Sequence, residues 1–208
     1  MMKRSNGNLR HCVLPLVTFI GRVNLLLEKY LLTCKSYALN ADYRDKIKRF
    51  GKGSVFNGVS FVSGYESIEI GNNVHIGNNA FIRGEGGLVI EDNTHISRNI
   101  VIYTYSHEYE GDVLPYDDRF RRRAVFIGKN VWIGMNVVIL PGATVEEGAI
   151  IGGGAVVKGI VPKGSIYGAA HAEKIALRDM DRYSMLEKNK LYGGVDGIPL
   201  HKLYEKSR

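Results

Sequence analysis

Aliphatic residues recur every six positions through the middle of the chain. Ile70, Ile76 and Ile82 are six apart, and Ile90, Ile96 and Ile102 repeat the spacing after two extra residues around Gly84–Gly87. Ile127, Ile133, Ile139, Val145, Ile151 and Val157 then follow with no slip. Glycine often comes next, at Gly71, Gly77, Gly128, Gly134 and Gly152. A small or β-branched residue often stands four after the aliphatic one, as at Val74, Ala80, Thr94, Val131, Val137 and Ala155. An α-helix turns every ~3.6 residues and cannot bury such a period on one face. A single strand alternates faces at every residue and does not fit either. Short strands joined by corners, stacked coil on coil as a solenoid, do fit. The aliphatic residues point inward, the small ones fill the corners, and Gly or Asn makes the turns. The fold predicted is an all-β parallel β-helix over residues 61–165.

The pattern changes on either side. Over residues 13–32, Leu16, Ile20, Val23, Leu27 and Leu31 recur at helical spacing, while Arg22, Asn24, Glu28 and Lys29 lie off that stripe. This predicts an amphipathic helix, with residues 35–60 as a linker into the core, so that 1–60 form an N-terminal arm. Beyond Val157 the period stops at Val161-Pro162-Lys163-Gly164. Residues 169–190 then carry Ile175, Leu177, Met180, Tyr183 and Leu186 broadly at helical spacing. A C-terminal helix capping the open end of the solenoid is expected there, followed by a polar tail to residue 208.

Two breaks interrupt the repeat. The Gly84–Gly87 insertion reads as a corner bulge. Glu108 to about Val125 is a true loop, with Pro115, three Asp and the run Arg119-Phe120-Arg121-Arg122-Arg123. Those arginines suit an anionic group or plain solvation, and Asp117 and Asp118 stand ready to pair with them.

Composition narrows the classes. A chain of 208 residues suits one domain with a sizeable core and an appended arm. Cys12 and Cys34 give neither metal spacing nor a disulfide framework, which points to a reducing cytoplasm. The net charge of +7 sits wholly in the arm: residues 1–50 hold ten Lys or Arg against three Asp or Glu, and 51–208 hold eighteen of each. Such an arm suits a solvated face or peripheral contact with an anionic membrane. The basic N-terminus and Val13–Gly21 make only a weak secretory signal, and no stretch reaches the ~20 apolar residues of a membrane span. No nucleic-acid recognition element accompanies the basic excess.

Chemistry enters at His107. It ends the run Ile102-Tyr103-Thr104-Tyr105-Ser106-His107, where the repeat opens into the loop. Histidine suits a general base near neutrality, and this one is held by a rigid coil beneath an overhanging loop.

The order Tyr103-Thr104-Tyr105-Ser106-His107, long loop, Ile127-Gly128-Lys129-Asn130-Val131-Trp132-Ile133-Gly134, then Ile139-Leu140-Pro141-Gly142-Ala143-Thr144 resembles the hexapeptide-repeat O-acetyltransferases. These include the galactoside and maltose acetyltransferases and the capsule or colanic-acid acetyltransferases. The resemblance covers about residues 70–176. It implies a left-handed β-helix, a homotrimer with active sites between subunits, and an acetyl group moved from acetyl-coenzyme A to a hydroxyl of a sugar-type acceptor in surface polysaccharide synthesis. It makes His107 the catalytic base. It sets Trp132, Met135, Gly153 and Lys158 along the coenzyme, with Lys174 or Arg178 serving its phosphates because the tail departs from the family's pattern. His171 stands where Pro is usual and Glu173 where a base is usual. Arg83 stands where the sugar enzymes often carry Asn, which suits a carboxylate or phosphate on the acceptor, and Tyr105 lies beside it on the acceptor side. No metal is expected.

Two other readings share the scaffold. His75 and His95 should stack on neighbouring coils, as in a zinc enzyme of the γ-carbonic-anhydrase type, but no third core histidine completes a catalytic set. A non-catalytic trimeric scaffold is the other.

Overall fold

The computed structural model describes residues 6–110, 112, 114–169 and 179–189. Residues 1–170 form one unit and 171–208 another.

The first unit is a β-helix of nearly six coils with three parallel sheets as faces. The first face stacks Arg49–Phe50, Ile68–Ile70, Leu88–Ile90, Val125–Ile127, Thr144–Val145 and Ile160–Val161. The second stacks Val55–Asn57, His75–Gly77, His95–Ile96, Trp132–Ile133, Ile150–Ile151 and Ile166–Tyr167. The third stacks Phe61–Ser63, Phe81–Arg83, Val101–Tyr103, Val138–Ile139 and Val156–Val157. Every aliphatic residue of the predicted period is buried, from Ile70 through Val157. So are the corner residues Val74, Ala80, Thr94, Val131, Val137 and Ala155. Thr94 keeps its hydroxyl satisfied by donating to the Gly128 carbonyl at 2.8 Å.

The corners explain the asparagines. The corner between the first and second faces turns through Gly53, Asn73, Asn93, Asn130, Gly148 and Gly164, all with φ between 54° and 76°. Only Gly and Asn visit that left-handed region cheaply. At the corner between the second and third faces, Asn79 donates to Asn99 at 3.0 Å and Asn99 to Asn136 at 2.8 Å, forming a side-chain ladder up the stack.

The solenoid starts earlier than the aliphatic pattern predicts. Phe50 and Phe56 fill the first coil with Val62, so residues 49–60 are coil and not linker. It also ends later, because two further strands follow Val157 after a shortened corner. The 64–67 segment repeats the insertion seen at 84–87, here as a short 3-10 turn, Tyr65–Ser67.

Helix α1 runs Asn6–Lys46, well beyond the predicted 13–32. Its last turns close the first coil. Tyr43 and Ile47 are buried, and the Tyr43 hydroxyl donates to the Ser60 carbonyl at 2.7 Å. Burial first, then the neighbouring Tyr65 and Asp42, pushes the Tyr43 phenol up to about 12. The Asn40 amide donates to the Phe56 carbonyl at 2.8 Å and accepts from the Phe56 N–H at 2.9 Å, standing in for a strand neighbour at the sheet's end. No described helix is long and apolar enough to cross a membrane.

The second unit contains helix α2, Met180–Lys188, shorter than the predicted 169–190. Residues 170–178 and 190–208 lie outside the described residues, and with them Lys174 and Arg178.

Candidate active site

The corner between the third and first faces carries His107. Thr104, fully buried, leads into it: its hydroxyl donates to the Arg83 carbonyl at 2.7 Å and accepts from the Gly86 N–H at 2.7 Å. Gly86 is required for that approach, because a Cβ there would overlap the Thr104 carbonyl oxygen. The chain then leaves the coil as an antiparallel ladder, Tyr105–His107 against Phe120–Arg122, and His107 pairs with Phe120. The predicted loop therefore has a structured base.

The His107 ring is solvent-exposed and lies against two loop aromatics. Tyr116 stacks on it with centroids 3.9 Å apart, and Phe120 lies at 4.9 Å. With Asp112, Asp117, Asp118 and Arg119 they line an open cleft of about 810 Å³. Tyr116 and Phe120 are the site residues that sequence reasoning missed. The signal available was three aromatics, Tyr109, Tyr116 and Phe120, in a loop rich in charge.

The arginine run divides in two. Arg119 pairs with the buried Asp117 through its Nε at 2.6 Å, and Arg121 donates to Glu108 at 2.6 Å and to Glu110 at 2.7 Å. The Arg119 hydrogen bond holds the Asp117 carboxyl below its ordinary range, and Arg121 does the same for Glu108. Both arginines therefore brace the loop, leaving Arg122 and Arg123 exposed on the surface.

Arg83 and Tyr105 meet beside this site. The guanidinium lies 5.0 Å from the Tyr105 ring centre, and Tyr105 contacts Phe120 edge-on at 5.0 Å. Arg83 is also paired: its Nε lies 3.2 Å from Glu85 Oε1, which accepts from the Ser63 hydroxyl at 2.8 Å. Glu85 Oε2 is buried without a hydrogen-bond partner among the described residues.

The residues expected along the coenzyme are divided. Lys158 is exposed on the same corner column as His107, two coils further on. Trp132, also exposed, stands on the second face, and Met135 and Gly153 stack on the corner between the second and third faces. There the Met135 carbonyl accepts from the Gly154 N–H at 2.9 Å, and a Cβ on Gly153 would come within 3.2 Å of that carbonyl. The two corners lie at opposite ends of the third face, roughly 20 Å of extended chain apart at six residues a side. One chain does not bring the two halves together.

His75 and His95 do stack, in register and with rings 4.7 Å apart. The next outward residue of that column is Trp132, and no group of three metal-ligating side chains occurs among the described residues.

Comparison with known proteins agrees with the repeat and the fold. Residues 124–159 match the bacterial transferase hexapeptide (six repeats), and residues 62–84 and 67–104 match the hexapeptide repeat of succinyl-transferase. No curated protein matches the chain. Among solved structures, a maltose O-acetyltransferase from Clostridium difficile 630 is 24% identical, with 70% of this chain and 83% of that one covered at a TM-score of 0.59. A hexapeptide-repeat-containing acetyltransferase from Vibrio cholerae O1 biovar eltor, complexed with acetyl-coenzyme A, is 25% identical over 72% of this chain and 79% of that one, TM-score 0.57. A galactoside acetyltransferase in complex with coenzyme A is 23% identical over 67% and 70%, TM-score 0.56. The repeats define what the chain is similar to: residues 62–104 and 124–159 carry the repeats of the hexapeptide transferases. The architecture is similar to that of these acetyltransferases, two of them solved with acetyl-coenzyme A or coenzyme A bound.

Proposed function

We propose that the protein transfers an acetyl group from acetyl-coenzyme A to a hydroxyl of a sugar-type acceptor, with His107 as general base, in the synthesis of a surface polysaccharide. The observation that carries the reading is the place of His107: exposed, at the exit of a rigid coil, beneath a braced loop whose Tyr116 fixes the ring plane. The imidazole takes the proton from the acceptor hydroxyl as that oxygen attacks the thioester carbonyl. The tetrahedral intermediate collapses, the carbon–sulfur bond breaks, and the imidazolium returns the proton to the departing thiolate. Main-chain N–H groups of the coils meet the oxyanion.

The divided geometry supports a homotrimer. A neighbouring copy that sets its Met135–Gly153 corner beside this chain's His107 corner completes one site per interface, and a cyclic head-to-tail contact generates three. Trp132 and Lys158 then flank the donor from the two subunits. Arg83, shared with Glu85, and Tyr105 border the acceptor side. Lys174 and Arg178 are proposed for the coenzyme phosphates.

The test is calorimetric titration with acetyl-coenzyme A, followed by an acceptor screen read as free coenzyme A released. Binding and acceptor-dependent release are expected. No binding at millimolar ligand overturns the reading and favours a scaffold.

A further inference from the structure

Helix α1 is held to the body only by its last turns, around Leu39, Asn40, Tyr43 and Ile47. The rest of its 41 residues, a rod of roughly 60 Å in all, carries large apolar side chains that are not among those packed into the core. Leu14, Leu16, Val17, Phe19, Ile20, Val23, Leu25, Leu26, Leu27, Tyr30, Leu31, Leu32 and Tyr37 are all exposed. So long an apolar face on a described surface requires a cover.

We infer that residues 14–37 of α1 form an interfacial helix that seats the enzyme on an anionic lipid surface. Three observations select lipid over a second copy of the chain. The first is the width of the apolar face. At about 100° per residue, Leu16, Phe19, Ile20, Val23, Leu26, Leu27, Tyr30, Leu31 and Tyr37 span about 140° of the wheel, and Val17, Leu14, Leu32 and Leu25 lie outside that arc, so apolar side chains cover more of the helix than one stripe. A helix-pairing seam needs only the narrower stripe of two positions in seven, whereas a helix lying in a bilayer interface buries a broad face. The second is charge. Arg10, Arg22, Lys29 and Lys35 stand against a single acid, Glu28, and the whole excess of the protein lies in this arm. Copies of α1 brought together would repel one another, while an anionic surface attracts all four cations. Arg22 and Lys29 flank the face on one side and Lys35 on the other, placed for long stems to run along lipid with their charges in the headgroups. The third is the aromatic edge: Phe19, Tyr30 and Tyr37 fall within about 20° of each other on the wheel, and such rings favour the boundary between headgroup and acyl chain. The helix lies on the membrane and does not cross it, since no described helix is apolar enough to span.

The test uses the full chain and sucrose-loaded vesicles, either phosphatidylcholine alone or phosphatidylcholine mixed with phosphatidylglycerol. The protein should co-sediment with the mixed vesicles and weakly with the neutral ones. R22E, K29E and K35E should each lower partitioning by at least about fivefold per charge removed. L26D/L27D should abolish it, with circular dichroism and acetyl-coenzyme A binding unchanged, because these residues pack against no part of the coil. Failure to bind mixed vesicles overturns the inference, as does binding insensitive to L26D/L27D. A third arm separates the second-copy alternative. In a C12S background, a fluorophore on the exposed Cys34, which falls inside the apolar face, should be open to aqueous iodide without vesicles and shielded with them. Shielding before any lipid is added assigns the face to a neighbouring copy and overturns the inference.

Discussion

At the scale of single residues, the corners hold the molecule to its shape. Asn99 has φ 59° and joins Asn79 below it to Asn136 above. An alanine in that region costs about 1–2 kcal/mol from backbone strain alone, and the ladder is lost as well. Urea denaturation should show N99A destabilised by at least that amount and N99G by less, since glycine keeps the backbone and loses only the ladder. Equal costs would mean that the backbone conformation is not what selects Asn. The six-residue period was legible because each strand from Ile68–Ile70 to Val156–Val157 in the coils turns at least one aliphatic inward. Phe50 and Phe56 escaped because aromatics fill the first coil, where α1 replaces a stacked neighbour and leaves room for larger side chains. His107 was legible by its position at the break in the repeat. Tyr116 was not, since nothing local in the sequence predicts a stack across nine residues.

At the scale of elements, the loop between the third and fourth coils is an ordered device. Glu108 and Asp117 are held below their ordinary carboxyl range, chiefly by hydrogen bonds from Arg121 and Arg119. A lowered folded value means that the bracing is fully present above the unfolded carboxyl pKa, about 4, and is lost as pH falls through the lower folded one. Protection factors of the 105–110 and 120–122 amides, taken relative to the intrinsic exchange rate at each pH, should therefore be flat from neutrality down to about pH 5 and should fall only in stronger acid. Protection lost near pH 6 would place another group in control. Helix α1 shows where pattern reading stops short. Residues 35–46 are mostly polar and read as linker, yet they stay helical because Leu39, Tyr43 and Ile47 supply one more apolar stripe at helical spacing, used only at the coil's end. Helix α2 is briefer than its pattern, and the capping role expected for residues 169–190 falls partly on residues outside those described.

At the scale of the whole molecule, the third face separates the His107 corner from the Met135–Gly153 corner. The resemblance implied sites between subunits, but the sequence did not say which residues each chain supplies. A shared site predicts complementation. G153W crowds the corner where the Met135 carbonyl is already close, and H107A removes the base. Each alone should be inactive. Co-expressed subunits mixing at random in a cyclic trimer should recover about a quarter of the wild-type rate, the share of interfaces with both halves intact. No recovery would place the whole site within one chain. The acyl transfer itself rests on His107, and its rate is the most direct measurement. With acetyl-coenzyme A and an active acceptor, His107→Ala should slow coenzyme A release by about 10²–10⁴-fold while leaving donor affinity and the circular dichroism spectrum unchanged. An unaltered rate would contradict the account.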